Sequence, residues 1–389
     1  MKGISHGSIR EHNIKVVLRC LYNHPLSCSE ISKEIKISDV AANKITKELQ
    51  ASDLIREAKD SEVNKKIGGQ HRRFEINSEK AIFICIDFTH GVDKVYVYDF
   101  SASLIVEMDL NISNNINADS LVSIVEEIKK LLSDNNLEDK KILSIAIAFV
   151  GQVDSETTCI LSSGRFGSLI GVNLGQIFEE SFSAPVIIKN NVQFMAVGEM
   201  IYGNLKPEYS IGVYLFIDYG TSVSIVNNRV PIEGWRGFSG ETGNVSVSDN
   251  GNIDYLCSLA HLLDKTEKEL DQRSVRGLIN SFFNNGKVKE EVLESCKYIG
   301  RLNSFFVNIL GADIIVIGGR SREFGESYLT EVIKQTELHT HIPTKIVLSE
   351  CQNPVVKGML EFCIARAIED IAINRKNLSE NGNLKECNK

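Results

Sequence analysis

From Ala81 to about residue 375 one order of elements is written twice, and few folds accommodate that. The first pass gives "AIFICIDF", "VDKVYVYDF" and "SLIVEMDLNI" as a three-strand meander, a helix at about 119–134, and "ILSIAIAFVG" as a buried strand. The second gives "YSIGVYLFIDYG", "TSVSIVNN" and "RVPIEG", then helices, then "DIIVIGGR" and "KIVLSE", each ahead of a helix. Strands alternating with helices build layered α/β units. Repetition of the whole set predicts two similar lobes facing a cleft, a repeat of architecture and not of residues.

The first eighty residues follow a different period. Ile14, Val17, Leu18 and Leu21 make one helical face, Ile31 and Ile35 a second, and Val40, Ile45 and Leu49 a third. Ser29 and Ser38 stand where N-caps are expected. Only "KIS" separates the second and third helices, the short turn of a helix-turn-helix. The stretch "DLIREAKDSEVNKKIGGQHRRFEIN" then reads as strand, glycine-containing polar loop, strand, a winged hairpin. With the third helix in a major groove, its start at Ser38 and an exposed side of Asp39, Ala41, Ala42, Asn43, Lys44 and Lys47 face the bases, Asn43 suiting adenine and Lys44 or Lys47 a guanine or a phosphate. Lys65, Lys66, Gln70, His71, Arg72 and Arg73 lie on the wing, placed for phosphate contacts.

Charge agrees with that division. Residues 1–80 hold 15 Lys and Arg against 11 Asp and Glu, whereas the rest holds 28 against 40, within an overall net charge of −8. A basic head on an acidic body points the head alone at an anionic polymer. Nine cysteines without a C-x-x-C pair argue against a disulfide framework and a zinc ribbon. The N-terminal stretch lacks an apolar leader and no run is apolar enough to span a bilayer, so a cytoplasmic protein with no membrane contact is expected.

Several stretches resemble the ROK family (repressor, open reading frame, kinase) over about residues 10–375. "GGQHRR" stands where family regulators have a glycine-glycine-arginine wing, and "GVNLGQIFEESFSAPVIIKNNVQFMAVGE" where the family has its ligand strand and helix. "GFSGETGN" is similar to an AGE-x-GH stretch, and "VIGGR" to a glycine pair near the nucleotide. The resemblance implies an α/β fold class: an N-terminal winged helix-turn-helix (1–80), then a two-lobed actin/hexokinase-like, sugar-kinase body. Its first lobe would span 81–198 and its second 199–375, with the last helix able to pack back on the first lobe, before a polar tail, 376–389.

Four departures bear on chemistry. Family kinases read E-N-D-A-N at the strand end, and this chain reads K-N-N-V-Q: Asn190 matches the asparagine that holds sugar, while Asn191 replaces the aspartate that takes the sugar's proton. A carboxamide cannot act as a general base near neutral pH, a loss of about 10²–10⁴-fold in rate. Both amides have a second reading as partners of buried backbone at a strand end. In the first phosphate loop, Asp87 stands in "IDFTHGVDK", where Thr89 and His90 replace glycines. In the second loop, "IDYGTS" puts Asp218 where a phosphate would come.

Zinc ligands of the family are matched by Asn244, Ser248, Asn250 and Tyr255, which are not a usual ligand set, so no metal and no cofactor are expected. Of the sugar-gripping set, Asn190 and Glu241 remain, Asn191 and Asn244 are amides, and Cys257 replaces the last glutamate; Asn190, Asn191, Glu241 and Asn244 are the candidate ligand residues. The reading is a DNA-binding transcriptional regulator, taken as a repressor of carbohydrate-related genes, with no catalytic residue. Its expected partners are double-stranded operator DNA, a sugar effector and a second copy, as a homodimer or dimer of dimers. The competing reading is an ATP-dependent sugar kinase using Glu241 or Asp93 as its base.

Overall fold

The computed structural model describes residues 6–58, 72–89, 91, 93–110, 112 and 116–373. The head consists of α1 (His6–Asn23), β1 (Leu26–Ser27), α2 (Cys28–Glu34), α3 (Asp39–Ala51), β2 (Ile55–Glu57) and β3 (Arg73–Ile76). Ile14, Val17, Leu18 and Leu21 of α1, Ile31 of α2, and Ile45 and Leu49 of α3 are buried, because each set recurs at three and four residues. β3 pairs antiparallel with both β1 and β2.

Three expectations for the head are corrected. Val40 is 78% exposed, and Ala42 is fully buried in its place, so Ala42 is not a DNA-facing residue. Ala42, Ile45, Thr46 and Leu49 form one stripe, and the small alanine lets α3 come close to α2, where Cys28 Sγ lies 3.6 Å from Thr46 Oγ1. The cap of α2 is Ser27, not Ser29: Ser27 Oγ accepts from the Glu30 amide while Glu30 reaches back to the Ser27 amide at 2.8 Å, a reciprocal capping box. Ser38 does cap α3, accepting from the Ala41 amide at 3.2 Å.

The first lobe comprises β4 (Ile82–Asp87), β5 (Lys94–Asp99), β6 (Leu104–Asp109), α4 (Ala118–Asp134), β7 (Ile142–Phe149), the small hairpin β8 (Gln152–Val153) and β9 (Ile160–Ser162), α5 (Leu174–Phe182), β10 (Val186–Asn190) and α6 (Asn191–Tyr202). The second comprises β11 (Ile211–Ile217), β12 (Thr221–Asn227), β13 (Val230–Pro231), β14 (Ser246–Ser248), β15 (Gly251–Asn252), α7 (Ile253–Cys257), α8 (Leu259–Lys265), α9 (Val275–Asn284), α10 (Gly286–Phe305), β16 (Ile314–Gly318), α11 (Glu326–Glu337), β17 (Lys345–Leu348) and α12 (Pro354–Ile373). The sheet orders are β10-β7-β4-β5-β6 and β13-β12-β11-β16-β17. Each is an antiparallel meander extended by two parallel strands, so the repeated sequence order becomes a repeated topology. α12 packs on α6 and on β4 and β7 of the first lobe. The division expected after residue 198 falls inside α6, which continues to Tyr202.

α6 and α12 cross with their backbones nearly touching. A Cβ on Gly198 would sit 2.1 Å from the Pro354 carbonyl oxygen, and one on Gly358 would sit 1.9 Å from that of Phe194. Their apolar faces join the head helices, β4 and the inner face of the second sheet in one continuous core. The head is further tied to α12 by the ion pairs Arg19–Glu361 and Lys15–Glu369, and Tyr22 meets Phe100 edge-on at 5.9 Å. No helix among the described residues is long and apolar enough to cross a membrane.

Candidate nucleic-acid interface and interlobe cleft

On α3 the residues Ser38, Asp39, Asn43, Lys44 and Lys47 are exposed and Ala41 is half-buried. Neither Lys44 nor Lys47 forms an ion pair among the described residues, whereas Asn43 Nδ2 donates to the Asp39 carbonyl at 3.1 Å and Asp39 Oδ1 accepts from Ser32. At the start of β3, Arg72 pairs with Glu57 at 3.1 Å and Arg73 with Glu30, which ties β3 to the first turn of α2. Lys65, Lys66, Gln70 and His71 lie outside the described residues. The face of α3 thus offers two free ammonium groups and a helix start, the chemistry that phosphates and guanine edges accept.

At the end of β10, Asn190 is the N-cap of α6: its side-chain oxygen accepts from the Val192 amide at 2.9 Å, and its Nδ2 donates to the Gly151 carbonyl at 3.0 Å. Both amide functions are therefore engaged in shaping the strand-to-helix turn. Buried Asn191 donates from Nδ2 to Thr89 Oγ1 at 3.2 Å, and the Thr89 amide donates to Asp87 Oδ1 at 2.8 Å. Asp87 Oδ2 has no partner, and burial pushes this carboxyl up to about 6, against the lowering effect of Thr89. Glu241 is also raised, by burial and then by nearby Asp254, while Gln152 hydrogen-bonds it and holds it down. Asn244 is exposed on the adjoining turn. Asp93 is clamped by Arg165, whose Nη1 lies 2.8 Å from Oδ1.

Asp87 gives a pH signature. An unfolded aspartate titrates near ~3.9, so the folded chain prefers the neutral form, and the resulting stability, complete below about pH 4, is lost as pH rises through about 6. Asp87→Asn is expected to be more stable than the unsubstituted chain by on the order of 3 kcal/mol at pH 7, with the gap closing near pH 4 in urea titrations.

In the second lobe, Asp218 at the end of β11 accepts from Arg320 Nε at 3.0 Å, from the Arg320 amide at 2.9 Å and from the Tyr219 amide at 2.8 Å. Arg320 follows the tight turn at Gly318 and Gly319, where a Cβ would strike the Tyr214 hydroxyl at 2.0 Å or the Ile217 carbonyl at 2.3 Å, and where Gly319 has φ +81. An internal guanidinium and carboxylate thus fill the loop where the resemblance places phosphate. Sequence reasoning missed Arg320, whose only signal was its place beside that glycine pair. Asp218→Asn strands a half-buried cation and is expected to cost about 2 kcal/mol in chemical denaturation.

Asn244, Ser248, Asn250 and Tyr255 do not fit zinc: Asn244, Asn250 and Tyr255 are exposed and none of the four is a cysteine or histidine. Among the described residues no group of three or more His, Cys, Asp or Glu is gathered to hold a metal ion.

Comparison with known proteins adds three findings. The family model described as "ROK family" matches residues 89–355. A xylose repressor of Caldicellulosiruptor bescii is 24% identical over 400 residues, covering 94% of this chain and 98% of its own. Among solved structures, a ROK family transcriptional regulator, described as a homologue of the E. coli MLC protein, superposes with a TM-score of 0.79 at 17% identity, covering 94% of this chain and 98% of its own. A ROK hexokinase from Thermus thermophilus gives a TM-score of 0.59 at 17% identity; 97% of it is covered, yet only 73% of this chain.

Proposed function

The chain belongs to the ROK family, and from that premise we propose that it is a sequence-specific DNA-binding transcriptional regulator, a repressor of carbohydrate-related genes, whose kinase-like body senses a ligand and performs no phosphoryl transfer. The observation that carries this reading is the capped helix-turn-helix with Lys44 and Lys47 free on its outer face. The xylose repressor similar along nearly its whole length supports a small carbohydrate as the effector.

The body supports the absence of catalysis on three counts. Asn191 stands where a proton acceptor is needed and is engaged with Thr89. Asp93 is held by Arg165. At the position of the second phosphate loop, Asp218 already takes the Tyr219 and Arg320 amides and the Arg320 guanidinium, the donors a phosphate would need.

The fold also supplies a route from cleft to head. Asn190 and Asn191 sit at the start of α6, α6 is in backbone contact with α12, and α12 holds α1 through Glu361 and Glu369. A ligand that prefers one arrangement of the lobes shifts the spacing of two heads on an operator by that route. A C2 pair of chains suits a palindromic operator. The test is retardation of a labelled duplex from the gene's own promoter region at about 50 mM salt: a discrete complex that survives random-sequence competitor supports the reading, and no complex under these conditions overturns it.

A further inference from the structure

Trp235 is the chain's single tryptophan and is 75% exposed. Its loop, between β13 and β14, touches the first lobe at both ends. Glu233 accepts from Lys189 Nζ at 2.6 Å, immediately before Asn190, and Glu241 is held by Gln152, next to the Gly151 carbonyl that Asn190 engages. Between them Arg236 pairs with fully buried Asp154 of the first lobe, and the Ser155 amide donates to the Arg236 carbonyl at 3.3 Å.

The loop is fixed from within as well. The Ser239 amide donates to the Glu233 carbonyl, Phe238 to Trp235 and Val223 to Gly240, each at 3.0 Å. Gly234, Arg236 and Gly237 have φ of 69°, 50° and 84°. A left-handed arginine persists only where its surroundings over-determine it, and here the Asp154 pair does so. On this frame the Trp235 ring stacks on Phe238, centroids 5.6 Å apart and planes 14° from parallel.

A large aromatic ring held open to water where polar groups of the two lobes meet is a binding feature, since burying it is favourable and holding it in place has already been achieved by the loop. Arg236 pairs with Asp154 and its guanidinium carbon lies 5.5 Å from the Trp235 ring centroid, which with Phe238 fixes the ring in place and leaves its remaining surface to solvent. A sugar presents an apolar C–H face and a rim of hydroxyls, which an aromatic ring beside hydrogen-bonding groups complements.

We infer that Trp235, backed by Phe238, is an outer subsite for the second ring of a disaccharide or glycoside whose first ring lies in the cleft near Gln152, Asn191 and Glu241. This rests on the reading of the cleft as a carbohydrate-sensing site, and it enlarges the effector class beyond monosaccharides.

Because no other tryptophan is present, emission of the full chain reports on this position. Xylose, xylobiose, glucose and cellobiose are titrated while emission is followed, with calorimetry and promoter retardation on the same samples. The expected result is that one disaccharide shifts the emission and binds more tightly than its monosaccharide. Trp235→Ala then loses about tenfold in affinity for that disaccharide, with monosaccharide and DNA binding unchanged. Three results overturn the inference: disaccharide binding without a change in emission, Trp235→Ala binding the disaccharide as tightly as the unsubstituted chain, or a changed sedimentation of Trp235→Ala with no change in sugar affinity. If no saccharide binds while the promoter is still retarded, the inference and the carbohydrate effector both fail and the DNA-binding reading stands. Absence of retardation counts against that reading alone.

Discussion

Full-length protein carrying Lys44→Glu and Lys47→Glu is expected to bind its operator about a hundredfold more weakly than the unsubstituted chain at moderate salt, with unchanged thermal stability. Both lysines are exposed on α3, and neither takes part in an ion pair among the described residues, so reversing them removes nothing that holds the head together. Each lost phosphate contact removes about one unit from the slope of log affinity against log salt, so the variant is also expected to show a slope shallower by about two. Fluorescence anisotropy with a labelled operator duplex at several salt concentrations reads both quantities. Asn43→Ala is expected to do less, because the Asn43 amide already bonds its own helix at Asp39. An unchanged affinity in the double variant would remove α3 from the groove.

The second large effect is on stability. Gly358→Ala places a methyl group 1.9 Å from the Phe194 carbonyl oxygen, a backbone atom of α6 that cannot swing aside. The helices must separate, opening a core in which Phe194, Met359 and Cys363 are buried, and the expected cost is about 3 kcal/mol in urea denaturation. α12 also holds Arg19 and Lys15 of α1, so the same change displaces the surface on which the head is docked. Glu361→Gln, which leaves the helix crossing untouched and loses one partly exposed ion pair, is expected to cost less than about 1 kcal/mol. If the two variants were equally stable, the close approach of α6 and α12 would not be what fixes that layer.

The lobes were legible because their signal is periodic. Runs such as "ILSIAIAFVG" are short, apolar and rich in β-branched residues, which favours a buried strand over a helix, and the meander-helix-strand order recurred. The helix-turn-helix was legible for the same reason, with finer errors that have physical causes. Hydropathy favours Val40 over Ala42, but a close helix crossing selects the smaller side chain. Ser27, and not Ser29, caps α2, and Ser27 with Glu30 carries the S-x-x-E spacing of a capping box, so that signal is present in the sequence.

The site was legible in its losses more than in its gains. That Asn191 cannot accept a proton follows from its residue type alone. That Asp218 meets Arg320, 102 residues along the chain, follows only from folding, as does the clasp of Arg236 on Asp154, 82 residues away. Trp235 stood in no pattern, and its interest comes from exposure on a fixed loop, which composition does not encode.

The central claim is that the cleft positions a ligand without reacting it. The most direct measurement is release of ADP from ATP and magnesium in a coupled assay, with the purified full chain and a panel of pentoses, hexoses and their disaccharides, on a preparation shown to retard its promoter. The account predicts no ADP above the protein-free blank with any sugar. Sugar-dependent turnover at about 1–10 per second or faster, abolished by substituting a cleft residue such as Glu241, would contradict it.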